Sequence, residues 1–154
     1  QYIKNVYKQF IFFPNRCVIV IRYIFNEEKY MKKESFFLVF VAIGVFFVSL
    51  GYGILPNQTM PFLYDIEVTN TNLLNILRAI SGLYIALVTF WILGAYNSNL
   101  QLPALWSLTI FVTGIALGRI ASIIIDGLPS PIFIFYLFLE IIFGLIGYLL
   151  IKKQ

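Results

Sequence analysis

Between Leu102 and Ile125 the chain reads LPALWSLTIFVTGIALGRIASIII, with a single charged residue, Arg119. About 20 apolar residues in a helix are enough to cross the roughly 30 Å hydrocarbon core of a bilayer. This stretch is therefore predicted to be a membrane-spanning helix that carries one arginine inside the membrane.

Three other segments are as long and nearly as free of charge: Ser35–Leu55, Leu73–Ala95 and Pro131–Ile151. Of the 154 residues, 60% are hydrophobic and 12% are charged. In soluble globular domains about 45–50% of the residues are apolar and about 25% are charged. The short polar connections Gly94–Pro103 and Asp126–Pro131 predict that the later segments pack antiparallel. The expected fold is all-α, a transmembrane up-and-down four-helix bundle within residues 31–154.

Lysine pairs flank the first and last segments, with Lys32 and Lys33 before one and Lys152 and Lys153 after the other. The connection Gly51–Asn72 contains two acidic residues and no cation. Because cytoplasmic loops are enriched in Lys and Arg, we expect both termini on the cytoplasmic side of a bacterial inner membrane. The aromatic and apolar content of the connection predicts that it lies along the outer membrane surface.

The first thirty residues do not fit this plan, because Arg16 and Arg22 interrupt the aromatic and apolar run Gln9–Phe25. Two arginines on an isolated helix are costly inside a bilayer, so segment 1–30 is predicted not to span. Two interpretations stay open. Met31, followed by lysines and an apolar helix, is typical of a bacterial start, which would make segment 1–30 upstream sequence. Alternatively, this basic and aromatic segment lies on the inner membrane surface.

The composition excludes several chemistries. With no histidine and one cysteine, one copy of the chain cannot form a Ser-His-Asp triad, a Cys-His nucleophile, a His-ligated metal site or an internal disulfide. The net charge of +4 lies at the ends of apolar segments and not in the basic stripe typical of nucleic-acid binding. We therefore expect no nucleic-acid partner, no metal and no cofactor, and the bilayer as the main partner.

Four ionisable residues interrupt the apolar segments: Arg78, Arg119, Asp126 and Glu140. Charged side chains at membrane depth almost always face the protein interior or a wet cavity, and they pair there. Counted from the predicted helix ends at 1.5 Å per residue, all four lie in the outer half of the bilayer. Arg119 and Glu140 lie too deep to reach the surface comfortably, so they form the first predicted pair, and Arg78 with Asp126, nearer the rim, forms the second.

Helical spacing adds polar neighbours to these charges, because residues three or four apart share a helix face. The predicted site is one polar cluster between the last three helices, formed by Asn75, Arg78, Arg119, Ser122, Asp126 and Glu140. Small residues predict close helix approach at Gly82, Gly114, Gly118, Gly144 and Gly147. Trp91 and Trp106 fall near the cytoplasmic helix ends, where amphipathic rings are enriched.

The cluster allows two interpretations. In the first, the charges hold three helices in register and the protein is a non-catalytic membrane component or accessory subunit, since buried ion pairs supply specificity more reliably than stability. In the second, the cluster serves a lipid-like or quinone-like ligand, or carries protons through Glu140, as in a small transporter or a partner of an oxidoreductase. A membrane enzyme ranks third, because no nucleophile and base occur together.

Two motifs resemble a bacterial family of small four-helix membrane proteins known as a domain of unknown function. They are NILRAISG at 75–82 and GRIASIIIDG at 118–127. The matching positions are Asn75, Arg78, Ala79, Gly82, Gly118, Arg119, Ser122, Asp126 and Gly127. Ile76 stands where the family often has an acid, and Ile80-Ser81 replaces an aromatic-glycine pair.

The resemblance runs from about Met31 to Lys153 and implies a fold but no reaction. A looser likeness to DoxX-like four-helix proteins, some of them associated with quinone-linked oxidation, implies redox partners by analogy of fold alone.

Overall fold

A computed structural model of the chain describes residues 32–153; the predicted non-spanning segment 1–30 lies outside them. Within this range the chain forms five helices and no β-strand. The helices are α1 (Lys33–Gly53), α2 (Pro56–Tyr64), α3 (Thr71–Tyr96), α4 (Ser98–Asp126) and α5 (Pro131–Lys152). All except α2 are long and apolar enough to cross a membrane, which confirms the predicted all-α four-helix fold.

Asparagine side chains cap the N-termini of two of the long helices. Asn70 Oδ1 accepts a hydrogen bond from the Asn72 N–H at 2.7 Å, and Asn97 Oδ1 accepts one from the Asn99 N–H at 3.0 Å. Each satisfies an N–H that has no partner inside its helix. Asn97 alone separates α3 from α4, so the connection is much shorter than the predicted Gly94–Pro103.

Replacing Asn97 with alanine should lower the free energy of unfolding by about 1 kcal/mol, because α4 loses its N-cap acceptor. Denaturant or thermal unfolding in detergent measures the change. Asn99→Ala is the matched control, since the Asn99 side chain is exposed and only its backbone N–H takes part in the cap. Equal losses in the two variants would contradict a capping role for Asn97.

The helices pack in the order α1, α3, α4, α5, so that α3 and α5 lie diagonally opposite. We name the two ends of the bundle the lysine end, where Lys32 and Lys153 lie, and the α2 end. The apolar core occupies the half near the lysine end, and its fully buried members are Leu38, Ala42, Trp91, Ala104, Leu105 and Leu108. Ser35 Oγ accepts a hydrogen bond from Gln101 Nε2 at 2.8 Å there.

Trp91 differs from its predicted place at the membrane interface. The side chain is fully buried, whereas Trp106 is 46% exposed. The Trp91 Nε1–H donates to Ser107 Oγ at 3.3 Å, and its ring meets Phe111 edge to face with centroids 5.5 Å apart. Because Ser107 accepts the indole hydrogen bond, Trp91 can lie in the core without an unsatisfied donor.

The half near the α2 end is packed differently. The Ser81 Oγ–H donates to the Ser49 carbonyl at 2.7 Å and joins α1 to α3. Beyond Ala116, however, no residue of α4 is buried, and none is buried in α5 before Gly144. This half has a smaller core cluster, formed by Met60, Tyr64 and Val68 with partly buried side chains of α1, α3 and α5 packed against it, and polar and aromatic side chains converge beside it.

Candidate functional site

Arg119 and Glu140 form a salt bridge between α4 and α5. The Arg119 Nε–H donates to both carboxylate oxygens, at 2.9 and 3.0 Å. The two side chains keep 23% and 14% of their surface exposed, so the pair is largely shielded. It is the first pair predicted from the sequence, and residues 32–153 contain no second salt bridge.

The Arg119 guanidinium also lies over two aromatic rings of α5. Its Cζ atom is 5.4 Å from the Phe133 ring centroid and 5.7 Å from that of Tyr136, which is within cation–π range. Phe133 and Tyr136 precede Glu140 by seven and four residues and so share its helix face. A single face of α5 therefore supplies both the counter-charge and the rings.

The terminal nitrogens of Arg119, Nη1 and Nη2, have no hydrogen-bond acceptor among the described residues. A guanidinium carries five N–H donors, and only the Nε–H is used here. Both Glu140 oxygens already accept that N–H. The site therefore has hydrogen-bond donors that no described residue uses.

Four tyrosines from four helices form a run of ring contacts next to the pair, here called the tyrosine layer: Tyr52 (α1), Tyr64 (α2), Tyr84 (α3) and Tyr136 (α5). Tyr64 links the layer, with ring centroids 6.2 Å from Tyr52 and 6.4 Å from Tyr136. The ring centroids of Tyr52 and Tyr84 are 6.0 Å apart. The Arg119 guanidinium lies 5.7 Å from the Tyr136 ring centroid, so the layer adjoins the ion pair through Tyr136.

Helix α2 packs over the site with one face. Met60 and Tyr64 are buried, whereas Phe62 on the opposite face is 87% exposed. The Tyr64 ring stacks on Phe133 with centroids 4.9 Å apart, and its hydroxyl lies 3.4 Å from that of Tyr136. The chain leaves α2 at Asp65, which adopts a left-handed backbone conformation with φ 57°. The helix thus covers the tyrosine layer at this end of the bundle.

Burial raises the pKa of the Tyr64 hydroxyl well above its ordinary value, and the hydrogen bond with Tyr136 raises it further. An acid with a raised pKa in the folded state keeps its proton after the unfolded chain has lost it. The stabilising effect is therefore complete below about pH 10, the ordinary tyrosine pKa, and declines as the pH rises above that value.

We expect the free energy of unfolding to fall less steeply above about pH 10 in Tyr64→Phe than in the wild type, because the variant lacks this proton difference. Unfolding followed between pH 9 and pH 12 in detergent gives the two slopes. Tyr148→Phe serves as control, since Tyr148 is 53% exposed. If Tyr64→Phe and Tyr148→Phe show the same slope, the Tyr64 proton does not contribute.

The other members of the predicted polar cluster lie apart from this site. Ser122 donates to Asp126 Oδ2 at 2.8 Å within α4, and both residues are exposed. Asn75 and Arg78 are exposed on α3. The predicted Arg78–Asp126 pair does not form within residues 32–153, and both side chains are exposed.

The predicted packing glycines fall into two groups. A Cβ at Gly144 would lie 2.9 Å from Thr113 Oγ1, and one at Gly147 would collide with Thr109, so these two glycines bring α5 against α4. A Cβ at Gly82, Gly114 or Gly118 would meet no atom within 4 Å. These three therefore do not bring together any two of the five described helices, although their spacing predicts that they do.

The tyrosine layer was not predicted from the sequence. Phe and Tyr are spread over every apolar segment, so the rings alone do not indicate a site. A usable signal is chemical, since a buried phenol needs a hydrogen-bond partner and tyrosines within membrane segments therefore tend to gather around polar groups. Residues 32–153 contain no group of three His, Cys, Asp or Glu that could hold a metal ion.

The fold and the site define a four-helix membrane protein with an Arg–Glu pair in its interior. The chain belongs to the family of the domain of unknown function DUF4345, whose model matches residues 34–151, as the motif resemblance predicted. That span includes α2 to α4 entirely and nearly all of α1 and α5. No curated protein and no solved structure matches the chain.

Proposed function

We propose that the protein is a non-catalytic membrane component that binds an apolar, polar-headed ligand at the Arg119–Glu140 pair and the tyrosine layer. The observation that carries this proposal is the unpartnered Nη1 and Nη2 of Arg119 beside aromatic rings. Arg119 keeps 23% of its side-chain surface exposed, so these donors are open to a ligand. A ligand acceptor at this position would satisfy them.

The flanking lysines support a place for this site within the membrane. With the lysine end on the cytoplasmic side of a bacterial inner membrane, the α2 end faces outward. Arg119 lies seven residues from the end of α4 at Asp126, a depth of about 10 Å. The ligand head would then lie just below the outer membrane surface and its apolar part among the lipid chains.

The competing interpretation is that the pair is a structural staple between α4 and α5. The two interpretations differ in whether a ligand co-purifies with the protein. A staple requires no ligand, whereas a binding site that survives mild extraction keeps one. The double variant Arg119→Leu/Glu140→Leu removes both charges together and so avoids leaving either one unpaired.

Native mass spectrometry of the full chain in mild detergent tests the proposal. We expect the wild type to carry a co-purified small apolar molecule and the folded double variant to lose it. Arg78→Leu is the control, because it removes an exposed intramembrane charge outside the site and should leave the ligand in place. Retention of the same ligand by the double variant, or a wild type without any ligand, would overturn the proposal.

A further inference from the structure

We propose that one face of α3, formed by Thr71, Asn75 and Arg78 and here called the Arg78 face, binds the headgroup of a phospholipid. The headgroup is zwitterionic and carries a primary ammonium, which is the chemistry of phosphatidylethanolamine. Arg78 and Asn75 hold its phosphate, and the acidic residues that precede α3 hold its ammonium. This site lies on the outside of the bundle and does not rest on the proposed function.

Arg78 is a cation inside a membrane-spanning helix without a counter-charge in the described chain. It is exposed, and the salt bridge within residues 32–153 joins two other residues, Arg119 and Glu140. The Arg78 side chain makes no hydrogen bond within this range either. Ser81, one turn further along α3, is buried and donates to the Ser49 carbonyl of α1. Arg78 therefore lies on the outer surface of the bundle, where an unpaired cation is costly.

The depth of Arg78 matches the position of a lipid phosphate. Arg78 follows the first residue of α3, Thr71, by seven positions, which is about 10 Å along the helix axis. Side chains tilt toward the N-terminus of their helix, so the Arg78 side chain leads back toward the α2 end. Long cationic side chains reach the membrane interface in this way. The guanidinium is therefore within reach of the phosphates of the leaflet at the α2 end.

The neighbours of Arg78 on the same face are polar up to the start of the helix. Asn75 and Thr71 precede Arg78 by three and seven residues and share its face, and both are exposed. Neither side chain has a hydrogen-bond partner within residues 32–153. A guanidinium binds phosphate through two parallel hydrogen bonds, and the amide of Asn75 and the hydroxyl of Thr71 can donate as well. The Arg78 face therefore offers several unused donors to a phosphate and the oxygen atoms next to it.

The acidic residues near this face select the rest of the headgroup. Asp65 and Glu67 lie in the connection that leads from α2 into α3, and both are exposed. An anionic headgroup would bring a further negative charge next to these carboxylates, whereas a primary ammonium can donate hydrogen bonds to them. In phosphatidylethanolamine a short linker joins such an ammonium to the phosphate. The phosphate can then lie on Arg78 while the ammonium points outward to the acidic residues.

A second copy of the chain does not supply the counter-charge for Arg78. The exposed acidic residues at the α2 end of the described chain are Asp65, Glu67 and Asp126. Asp65 and Glu67 precede α3 altogether. Counted from Asn97, Asp126 is 29 residues away along α4 and Arg78 is 19 residues away along α3. The difference of ten residues is about 15 Å, so a copy in the same membrane orientation presents none of these acids at the depth of Arg78.

Native mass spectrometry of the full-length protein in detergent, titrated with one lipid at a time, tests the proposal. The lipids are phosphatidylethanolamine, phosphatidylcholine, phosphatidylglycerol and a diacylglycerol without phosphate, all with the same acyl chains. Arg78→Leu removes the cation. The matched control Arg78→Leu/Ile76→Arg keeps the net charge and moves the cation about 160° around α3 to an exposed position at nearly the same depth. Thermal unfolding of each variant establishes that it is folded.

We expect the wild type to bind phosphatidylethanolamine more tightly than the other three lipids. Arg78→Leu and Arg78→Leu/Ile76→Arg should both bind it about tenfold more weakly, because the charged hydrogen bonds to the phosphate are lost. Asp65→Asn/Glu67→Gln should lose the preference over phosphatidylcholine, whose ammonium has no N–H to donate. Arg119→Leu/Glu140→Leu should bind the phospholipid like the wild type, since that pair lies on α4 and α5. A failure of the proposed function would therefore leave this result unchanged.

Three results would overturn the proposal. If Arg78→Leu/Ile76→Arg binds like the wild type, any exposed arginine on α3 suffices and the Arg78 face is not a site. If the wild type binds phosphatidylglycerol or diacylglycerol as tightly as phosphatidylethanolamine, the headgroup is wrong. If the wild type prefers no lipid but co-purifies with a second membrane protein that Arg78→Leu loses, the Arg78 face binds a partner helix and not a lipid.

Discussion

Replacing Glu140 alone with leucine should lower the free energy of unfolding by about 3–5 kcal/mol. Arg119 then loses the one counter-charge that it has in the described chain, and a guanidinium cannot become neutral. Arg119→Leu should cost less, because the carboxyl group left behind can take up a proton. The double variant should regain most of the loss, since it leaves no unpaired charge.

Reversible unfolding of the four proteins in one detergent completes a double-mutant cycle for this pair. Arg78→Leu is the matched control and should change stability little, because Arg78 is exposed and not paired with Asp126. A double variant no more stable than Glu140→Leu would mean that the two charges do not stabilise each other. Such a result would also remove the electrostatic basis of the candidate site.

Gly147→Ala should destabilise the protein by about 1–3 kcal/mol, because the added methyl group overpacks the contact between α5 and α4. A Cβ at Gly147 would collide with the Thr109 hydroxyl and lie 3.3 Å from Thr109 Cβ. Thr109 Oγ1 is also buried without a hydrogen-bond partner. Adding Thr109→Ala to the variant should therefore recover most of the lost stability.

Gly114→Ala is the control for this pair of substitutions. It adds the same methyl group to a glycine with open space around it, and alanine is the better helix former. The melting temperature of Gly114→Ala should therefore stay equal to or rise above that of the wild type. If Gly114→Ala loses as much stability as Gly147→Ala, the two glycines have similar surroundings, which would contradict the structure.

The helices and the Arg119–Glu140 pair could be predicted because both follow from the cost of polar groups in hydrocarbon. Segment length predicts the crossings, and the depth of each charge predicts which two must meet. The two glycine groups could not be told apart in this way. Gly114 and Gly118 have the spacing of a helix-packing motif, yet a Cβ at either would meet nothing within 4 Å, whereas Gly144 and Gly147 lie against α4.

The difference between the two glycine groups depends on which helices are neighbours in the bundle. The sequence of an apolar helix contains little information about its neighbours. In a chain with phenylalanine and leucine all round each helix, several packing orders bury similar area. Trp91 illustrates this. A tryptophan near a helix end is typical of a membrane-interface anchor. The buried position of Trp91 depends on the packing of α4, which places Ser107 Oγ next to the indole nitrogen. The tyrosine layer depends in the same way on α2 folding over the bundle.

The one-residue link at Asn97 gives α3 and α4 a common pivot at the lysine end. The 29 residues of α4 make a lever about 40 Å long. Rotating this lever by about 5° would shift its far tip by roughly 3–4 Å, close to the thickness of one aromatic ring. A small displacement beside the lysines would therefore be magnified where α4 ends, so mechanical leverage would connect one end of the bundle to the other.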